Sequence, residues 1–286
     1  MKKRKLFCEI SPLCYKISHK KECLLHDIKD IMKNEKIATE KNTVSLPVVL
    51  KNHSSKMLRN LCGVDMQLQE NKKTNLRLAG RKINGIVINP GETFSFWKLV
   101  GEPNKKNGYL DGLVIQGGKV ASGVGGGLCQ LANLIHWMIL NSPLEVTEMH
   151  HHSDALFPDN GRRVPFGTGT SVSYKNQDYR FKNTTKNPVQ LMIWQDDNEL
   201  FGELRSTESL PYTYRIIEEN NGFVEEDGIF YRVSQVYRIT FDRVNKIVCR
   251  DIVLNNHSRV LYDYSLIPEE QIITPGLRRL TYNGDF

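Results

Sequence analysis

The chain has 286 residues, of which 40% are hydrophobic and 25% are charged, a composition typical of a globular protein with one large or two small domains. No apolar run approaches the ~20 residues of a membrane span, and only residues 6–8 separate the basic start from Glu9, which excludes the apolar core of an export signal. The six cysteines form no C-x-x-C pair, which excludes a disulfide scaffold and a zinc ribbon. The sequence therefore predicts a cytoplasmic protein.

The net charge of +7 is concentrated near the N-terminus, where residues 1–36 contain ten Lys or Arg and five Asp or Glu. We expect residues 1–60 to form a basic N-terminal arm or helical region with a solvated charged face. A weak contact of this basic N-terminus with an anionic membrane surface is the alternative. No basic patch with interleaved aromatic residues is present, so nucleic acid is not a predicted partner.

The spacing of apolar residues predicts two helices and several short strands in the next part of the chain. Residues 71–83 place Leu76, Ala79, Gly80 and Ile83 on one helical face, and Gly85 follows as a stop. The runs at 86–88 and 113–116 are typical of short strands. A second helix is expected over residues 128–141, ended by Pro143.

Alternating apolar and polar residues dominate the rest of the chain. The segment LEVTEMHHHS predicts a strand that leads into His150, and we expect this strand to lie in a central sheet packed by the second helix. Further strands are expected at 170–174, 179–182 and 189–195, and an antiparallel series follows from about residue 211. The sequence thus predicts an α+β protein, with a mixed α/β domain over 61–210 and a β-rich C-terminal region over 211–286.

The stretch SGVGGGLCQ places a glycine-rich loop directly before a cysteine at the start of the second helix. The unpaired N–H groups of a helix start lower the pKa of a thiol there and favour its thiolate. They also stabilise an oxyanion once glycine lets a substrate approach the backbone. This pattern predicts Cys129 as a nucleophile for acyl transfer, the most reactive cysteine near neutral pH. Gly126, Gly127, Leu128 and Gln130 are then expected around the substrate carbonyl, with Gln130 as an oxyanion donor or a helix cap.

A nucleophilic cysteine needs a base, and the histidine run that follows offers two candidates. On a strand, His150 and His152 point to one face and His151 points to the other. We expect one of the first pair to meet Cys129, while the second imidazole, or Ser153, orients it.

Other uses of these residues stay open. Cys129 is also explained by packing in the core, or by a metal site shared with the histidines. His136 lies seven residues along the same helix, about 10.5 Å from the cysteine along the axis, and is predicted to be structural. Arg162 and Arg163 are candidates for bidentate binding of a substrate carboxylate, or are ordinary surface arginines.

Three segments of the chain together resemble the VanW family over about residues 70–200. They are NLRLAGRKINGIVINPGETFSFWKLVG, GYLDGLVIQGGKVASGVGGGLCQLANLIHWMIL and VTEMHHHSDALFPDNGRR, with PGETFSF, GGGxCQ and H-x-H-S in the family's order and spacing. The resemblance implies a link to glycopeptide resistance and the cell wall, and VanW domains of some multidomain relatives are attributed L,D-transpeptidase activity with a cysteine nucleophile. The motif residues fall on Cys129, His150 and His152. Many relatives have proline where this chain has His151.

The residues and the resemblance together predict cysteine-dependent acyl transfer on a peptidoglycan stem peptide, of the L,D-transpeptidase or L,D-carboxypeptidase type. The expected partner is a peptidoglycan precursor or stem peptide, and no cofactor is expected. A non-catalytic cytoplasmic accessory or binding protein and a Cys/His metal site are the alternatives. The sequence does not predict the oligomeric state.

Overall fold

The computed structural model of the chain describes isolated positions between 11 and 28 and the ranges 35–58, 65–116, 119–151, 154–158 and 164–273. Of the predicted basic arm over 1–60, residues 1–10, 29–34 and most positions from 11 to 28 lie outside the described residues. None of the described helices is long and apolar enough to cross a membrane.

From residue 35 onward the described α-helices are α1 (Met66–Ile83), α2 (Phe96–Val100) and α3 (Leu128–Leu140). In chain order the described strands are β1 (Val48–Lys56), β2 (Ile86–Ile88), β3 (Thr93–Ser95), β4 (Asp111–Gln116), β5 (Lys119–Val124), β6 (Glu145–Glu148), β7 (Asp154–Ala155), β8 (Arg180–Lys182), β9 (Val189–Gln195), β10 (Glu199–Ser206), β11 (Thr213–Glu226), β12 (Ile229–Phe241) and β13 (Ile247–Val260).

The first predicted helix is confirmed, and it begins earlier than its apolar face alone indicated. The side chain of Asp65 accepts a hydrogen bond of 2.8 Å from the N–H of Gln67, which caps the helix start at Met66. At the other end Gly85 adopts a φ of +80°, a conformation that L side chains rarely take. The first turn mixes Met66 and Leu68 with two glutamines, and its start is marked by the Asp65 cap.

The described residues form two compact units. One combines residues up to Val114 with Ala121–His150 and Thr170–Pro211, and the other combines Ile115–Val120, His151–Gly169 and the chain from Tyr212.

Two sheets of three or more strands lie wholly in the first unit. β1, β10, β9 and β2 form one antiparallel sheet in that order, and β3, β8 and β6 form the other. Helix α3 packs on the larger sheet, where Gly202 lies so close to Met138 and Leu134 that a Cβ atom would come within 2.7 Å of the methionine methyl. The prediction that the strand leading into His150 lies in a central sheet packed by α3 is therefore wrong. This strand is β6, and it pairs with β8 in the smaller sheet.

The second unit is built mainly from three long antiparallel strands, β11, β12 and β13, and the short β7 lies parallel to β13. Its own core contains Phe166, Phe223, Val260 and Ile267. The predicted α+β class and the antiparallel β-rich C-terminal region are confirmed.

Candidate functional site

The glycine loop before α3 is held by close backbone contacts. A Cβ atom on Gly126 would lie 2.2 Å from the carbonyl carbon of Gly112, so no other residue fits there without moving the backbone. The buried side chain of Asn75, on α1, donates 3.0 Å hydrogen bonds to the carbonyls of Gly126 and Leu110 and accepts one from the Leu110 N–H. Helix α1 therefore fixes the loop through a single amide group.

The first turn of α3 presents backbone donors beside the cysteine. Gly127 precedes the helix in a left-handed conformation with φ of +94° and provides no side-chain cap. The N–H of Gln130 donates to the Gly127 carbonyl at 3.0 Å, the N–H of Leu128 meets no acceptor among the described residues, and the N–H of Cys129 is directed at the cysteine's own sulfur. These two donors are what an anionic oxygen requires at a helix start.

The Cys129 thiol differs from its sequence-based expectation. Cys129 keeps part of its surface accessible, but its sulfur is desolvated, and this burial raises the pKa of the thiol. The Sγ atom lies 3.7 Å from the carbonyl oxygen of Val172, and backbone hydrogen bonds with Val172 and Cys129 lower the pKa of the thiol by less than burial raises it. The expected lowering of this pKa by the helix start is therefore wrong, because desolvation outweighs the attraction of the helix N–H groups.

Three polar side chains on α3 line up along residues 170–179. Cys129, Asn133 and His136 follow one another at i, i+4 and i+7, which places them on one helical face. Asn133 accepts a 2.6 Å hydrogen bond from the N–H of Thr170, and His136 Nδ1 lies 3.1 Å from the hydroxyl of Tyr179. His136 is buried, as its predicted structural role requires.

The same segment also reaches His150. The Ser171 N–H donates a 2.7 Å hydrogen bond to the His150 carbonyl. The next residue, Val172, is the one whose carbonyl contacts the Cys129 thiol. The expected strand at 170–174 does not form; Ser173 and Gln177 instead close a tight bend. The segment thus connects the nucleophile candidate and one base candidate.

The His150 imidazole is oriented by a carboxylate. Its Nε2 lies 3.2 Å from Oε1 of Glu148, and its side chain is 33% exposed. His151 instead directs Nδ1 to the Gly167 carbonyl at 3.2 Å. Because β6 ends at Glu148, strand alternation does not govern these rings, and their separate partners give them different directions.

Glu148 belongs to a buried charge cluster around Arg180, whose side chain is 1% exposed. Arg180 Nε lies 2.8 Å from Asp178 and 3.4 Å from Glu148, and one of its terminal nitrogens lies 3.0 Å from Glu35. Asp178 in turn accepts a 2.5 Å hydrogen bond from the hydroxyl of Ser95. A buried cluster of this kind holds its carboxylates in fixed positions, because removing one partner leaves a buried charge uncompensated.

The side chain of Gln130 is engaged elsewhere. Its amide nitrogen donates to the Ser55 hydroxyl at 2.9 Å and to the Lys56 carbonyl at 2.8 Å, both at the end of β1. The backbone donors of α3, rather than this amide, are thus the groups left to meet an oxyanion.

Some predicted site residues cannot be located relative to Cys129. His152, Ser153, Arg162 and Arg163 lie outside the described residues, so their roles stay predictions. Among the residues that the structure describes, no group of three or more His, Cys, Asp or Glu side chains is arranged to hold a metal ion.

Sequence reasoning missed the supporting residues Asn75, Glu148 and Asp178. The sequence did contain a signal for Asn75, because this residue stands four positions before Ala79 and so lies on the apolar face of α1. A buried amide needs hydrogen-bond partners inside the protein. No local pattern marks Glu148, because its partner Arg180 is distant in the chain, whereas Asp178 stands only two residues before Arg180.

Comparison with known proteins gives two relatives and one family model. The model described as VanW like protein matches residues 71–205. The chain is 33% identical over 195 residues to the vancomycin B-type resistance protein VanW of Enterococcus faecalis, an alignment covering 68% of this chain and 71% of that protein. It is 29% identical over 120 residues to the uncharacterized protein YoaR of Bacillus subtilis, covering 42% of this chain and 38% of that protein. No solved structure matches the chain.

Proposed function

This chain belongs to the VanW family, and from this membership and the geometry around Cys129 we propose that it catalyses cysteine-dependent acyl transfer on peptidoglycan stem peptides. The reaction is of the L,D-transpeptidase or L,D-carboxypeptidase type and serves glycopeptide resistance, the process named in the E. faecalis relative. The observation that carries the proposal is the position of Cys129 at the start of α3, where the N–H of Leu128 has no acceptor among the described residues and the N–H of Cys129 is directed at the sulfur.

The raised thiol pKa makes a base necessary at the start of the reaction. The thiol must leave the Val172 carbonyl and pass its proton to an imidazole, for which His150, held by Glu148, is the described candidate and His152 the other. The sulfur then attacks the carbonyl that precedes a terminal D-residue. The N–H groups of Leu128 and Cys129 hold the oxygen that becomes negative.

The remaining steps return the protein to its starting state. The peptide bond to the terminal D-residue breaks, and the protonated imidazole gives its proton to the leaving amine. The thioester is then resolved by an amine of a second stem peptide, which gives transpeptidation, or by water, which gives carboxypeptidation. Either acceptor loses one proton to the imidazole, and the thiol is reprotonated as it leaves.

A second candidate function is supported by the thiol itself. A protonated, desolvated Cys129 bonded to a backbone carbonyl is what a packing cysteine looks like, and it fits an accessory or binding protein that does no chemistry.

Intact-protein mass spectrometry separates these two functions. The protein is incubated with a stem tetrapeptide, or with a thiol-reactive carbapenem. We expect the wild type to gain one acyl group and Cys129→Ala to gain none. Cys249→Ser, which removes an exposed cysteine, is the matched control and must still acylate. The non-catalytic function would be supported if neither reagent modified the wild type. It would also be supported if Cys129→Ala were modified as much as the wild type.

A further inference from the structure

The turn between β12 and β13 exposes an unusual concentration of apolar side chains. We define the hairpin tip as residues 242–252. The exposed fractions in this tip are 80% for Val244, 59% for Ile247, 54% for Val248 and 53% for Ile252. Ile247 and Val248 are neighbours on a strand and so point to opposite faces. Both are exposed, so neither face of the strand is covered at the tip.

Cations surround these apolar side chains. Arg243, Lys246 and Arg250 are exposed, and the two acidic residues of the tip, Asp242 and Asp251, flank this stretch on either side. Arg250 packs over the ring of Tyr237 at 4.0 Å and pairs with Glu219 at 2.6 Å, which holds this cation at the sheet surface. The end of the tip between Asp242 and Asp251 therefore combines exposed apolar side chains with three cations, and the whole tip has a net charge of +1.

The turn is also built as a rigid structure. Oδ1 of Asp242 accepts hydrogen bonds of 2.9 Å from the N–H groups of Val244 and Lys246. Asn245 takes a left-handed conformation with φ of +60°, which asparagine tolerates better than most residues. The apolar side chains are thus presented without an ordering cost at the moment of contact.

We propose that the hairpin tip docks into the surface of an anionic phospholipid membrane. Val244 and Ile247 enter the boundary between headgroups and acyl chains, while Arg243 and Lys246 contact lipid phosphates. A fluid bilayer surrounds a narrow tip and covers both of its faces, whereas a flat protein surface covers one. This inference concerns a surface different from the Cys129 site and does not depend on the proposed acyl transfer.

Vesicle flotation tests the proposal with the full-length protein. The probes are vesicles of phosphatidylcholine with about 30% phosphatidylglycerol and vesicles of phosphatidylcholine alone. We expect the wild type to float with the anionic vesicles and to bind the neutral ones at least about tenfold more weakly. Absence of binding to the anionic vesicles, or equal binding to both, would overturn the proposal.

Matched apolar-to-acidic variants identify the surface that binds. Val244→Asp is expected to weaken binding to anionic vesicles by at least about tenfold, because it loses apolar burial and adds a repelled charge. Leu266→Asp is the control, since Leu266 is 56% exposed and its neighbour Tyr264 packs on Phe230 at the opposite end of the sheet. Unchanged vesicle binding by Val244→Asp would refute docking by the tip. Contact through the basic N-terminus alone would give this result. An equal loss in Leu266→Asp would refute it too.

Removal of two tip cations tests the electrostatic part. Each cation near an anionic surface contributes a factor of about five to the partition coefficient, so the double variant Arg243→Gln and Lys246→Gln is expected to bind roughly 25-fold more weakly. Circular dichroism and thermal unfolding of each variant are compared with the wild type, so that lost binding is not confused with lost folding. Unchanged partitioning of a folded double variant would contradict the proposed phosphate contacts.

A tryptophan at the tip reports insertion directly. Ile247→Trp keeps an apolar side chain at the position, and its emission is expected to shift to shorter wavelength when anionic vesicles are added. An unshifted emission in the vesicle-bound protein would show that the tip stays in water. A different result would be that the wild type binds no vesicles and forms dimers in solution that Val244→Asp abolishes. The partner of the tip would then be a second copy of the chain and not a membrane.

Discussion

At the scale of single residues, the ionisation of Cys129 is set by two opposing effects. A helix start favours the thiolate, whereas burial disfavours any charged form. In this protein burial dominates, and the pKa of the thiol lies above its ordinary value. Catalysis by Cys129 would therefore start from a thiol and depend on proton transfer to an imidazole, rather than on a thiolate already present.

The alkylation rate of Cys129 should follow this raised pKa. At pH 7 we expect Cys129 to react with iodoacetamide at least about tenfold more slowly than Cys249, because the Cys129 sulfur is buried and Cys249 is exposed, while the pKa of both thiols is raised, by burial at Cys129 and by the hydrogen bond to Asp251 at Cys249. The thiolate fraction of Cys129 increases about tenfold per pH unit until the pH passes the raised pKa, and its rate should rise accordingly. Peptide mass spectrometry after timed quenching measures both sites in one sample. Rapid labelling of Cys129 at pH 6 to 7 would instead support the thiolate that the helix start alone predicts.

At the scale of secondary-structure elements, the glycine loop and α3 form one unit with α1. Asn75 bonds to the carbonyl of Gly126, and Gly126 packs against the backbone of Gly112 at the start of β4. The first turn of α3 therefore has its position set by a neighbouring helix and a neighbouring strand. This arrangement keeps the backbone donors of Leu128 and Cys129 in place without any side-chain cap.

Replacement of Gly126 by alanine should strongly destabilise this arrangement. The added Cβ would meet backbone atoms, which cannot rotate away, so we expect a loss of more than about 3 kcal/mol or a failure to fold. Gly91→Ala is the control: its φ is +81° and a Cβ there meets nothing within 4 Å, so only the left-handed backbone opposes it, by about 1–2 kcal/mol. Urea unfolding measures both variants. Equal losses in the two would mean that the loop relaxes around a methyl group.

At the scale of the whole molecule, the described residues contain two separate hydrophobic cores, one in each compact unit. The larger core includes Leu76, Leu131 and Ile193, and the smaller one includes Phe223 and Val260. Each core stabilises the sheets and helices of its own unit.

Core substitutions should therefore act within one unit. Phe223→Ala, which costs about 3–5 kcal/mol, is expected to speed amide exchange in β11, β12 and β13, and Leu131→Ala is expected to do so in α1 and α3. Hydrogen exchange with mass spectrometry measures both, with exposed Leu266→Ala as a control that changes neither. Faster exchange throughout the chain in either core variant would show that the two units unfold together.

The sequence alone was sufficient for features that depend on near neighbours. Helical spacing predicts α1 and α3, alternation predicts an antiparallel series of strands after residue 211, and the glycine run followed by a leucine and a cysteine predicts that Cys129 starts a helix. These predictions succeed because side-chain periodicity and helix starts are determined within a few residues of chain.

Features that depend on distant partners were decided only by the tertiary structure. The pairing of β6 with β8, the bond from Asn75 to the glycine loop and the Glu148 contact of Arg180 each join segments or side chains that no periodic pattern connects. The protonation of Cys129 belongs to the same class. A thiol's pKa depends on how much water the completed fold leaves around the sulfur, and that quantity is set by residues far along the chain, such as Val172.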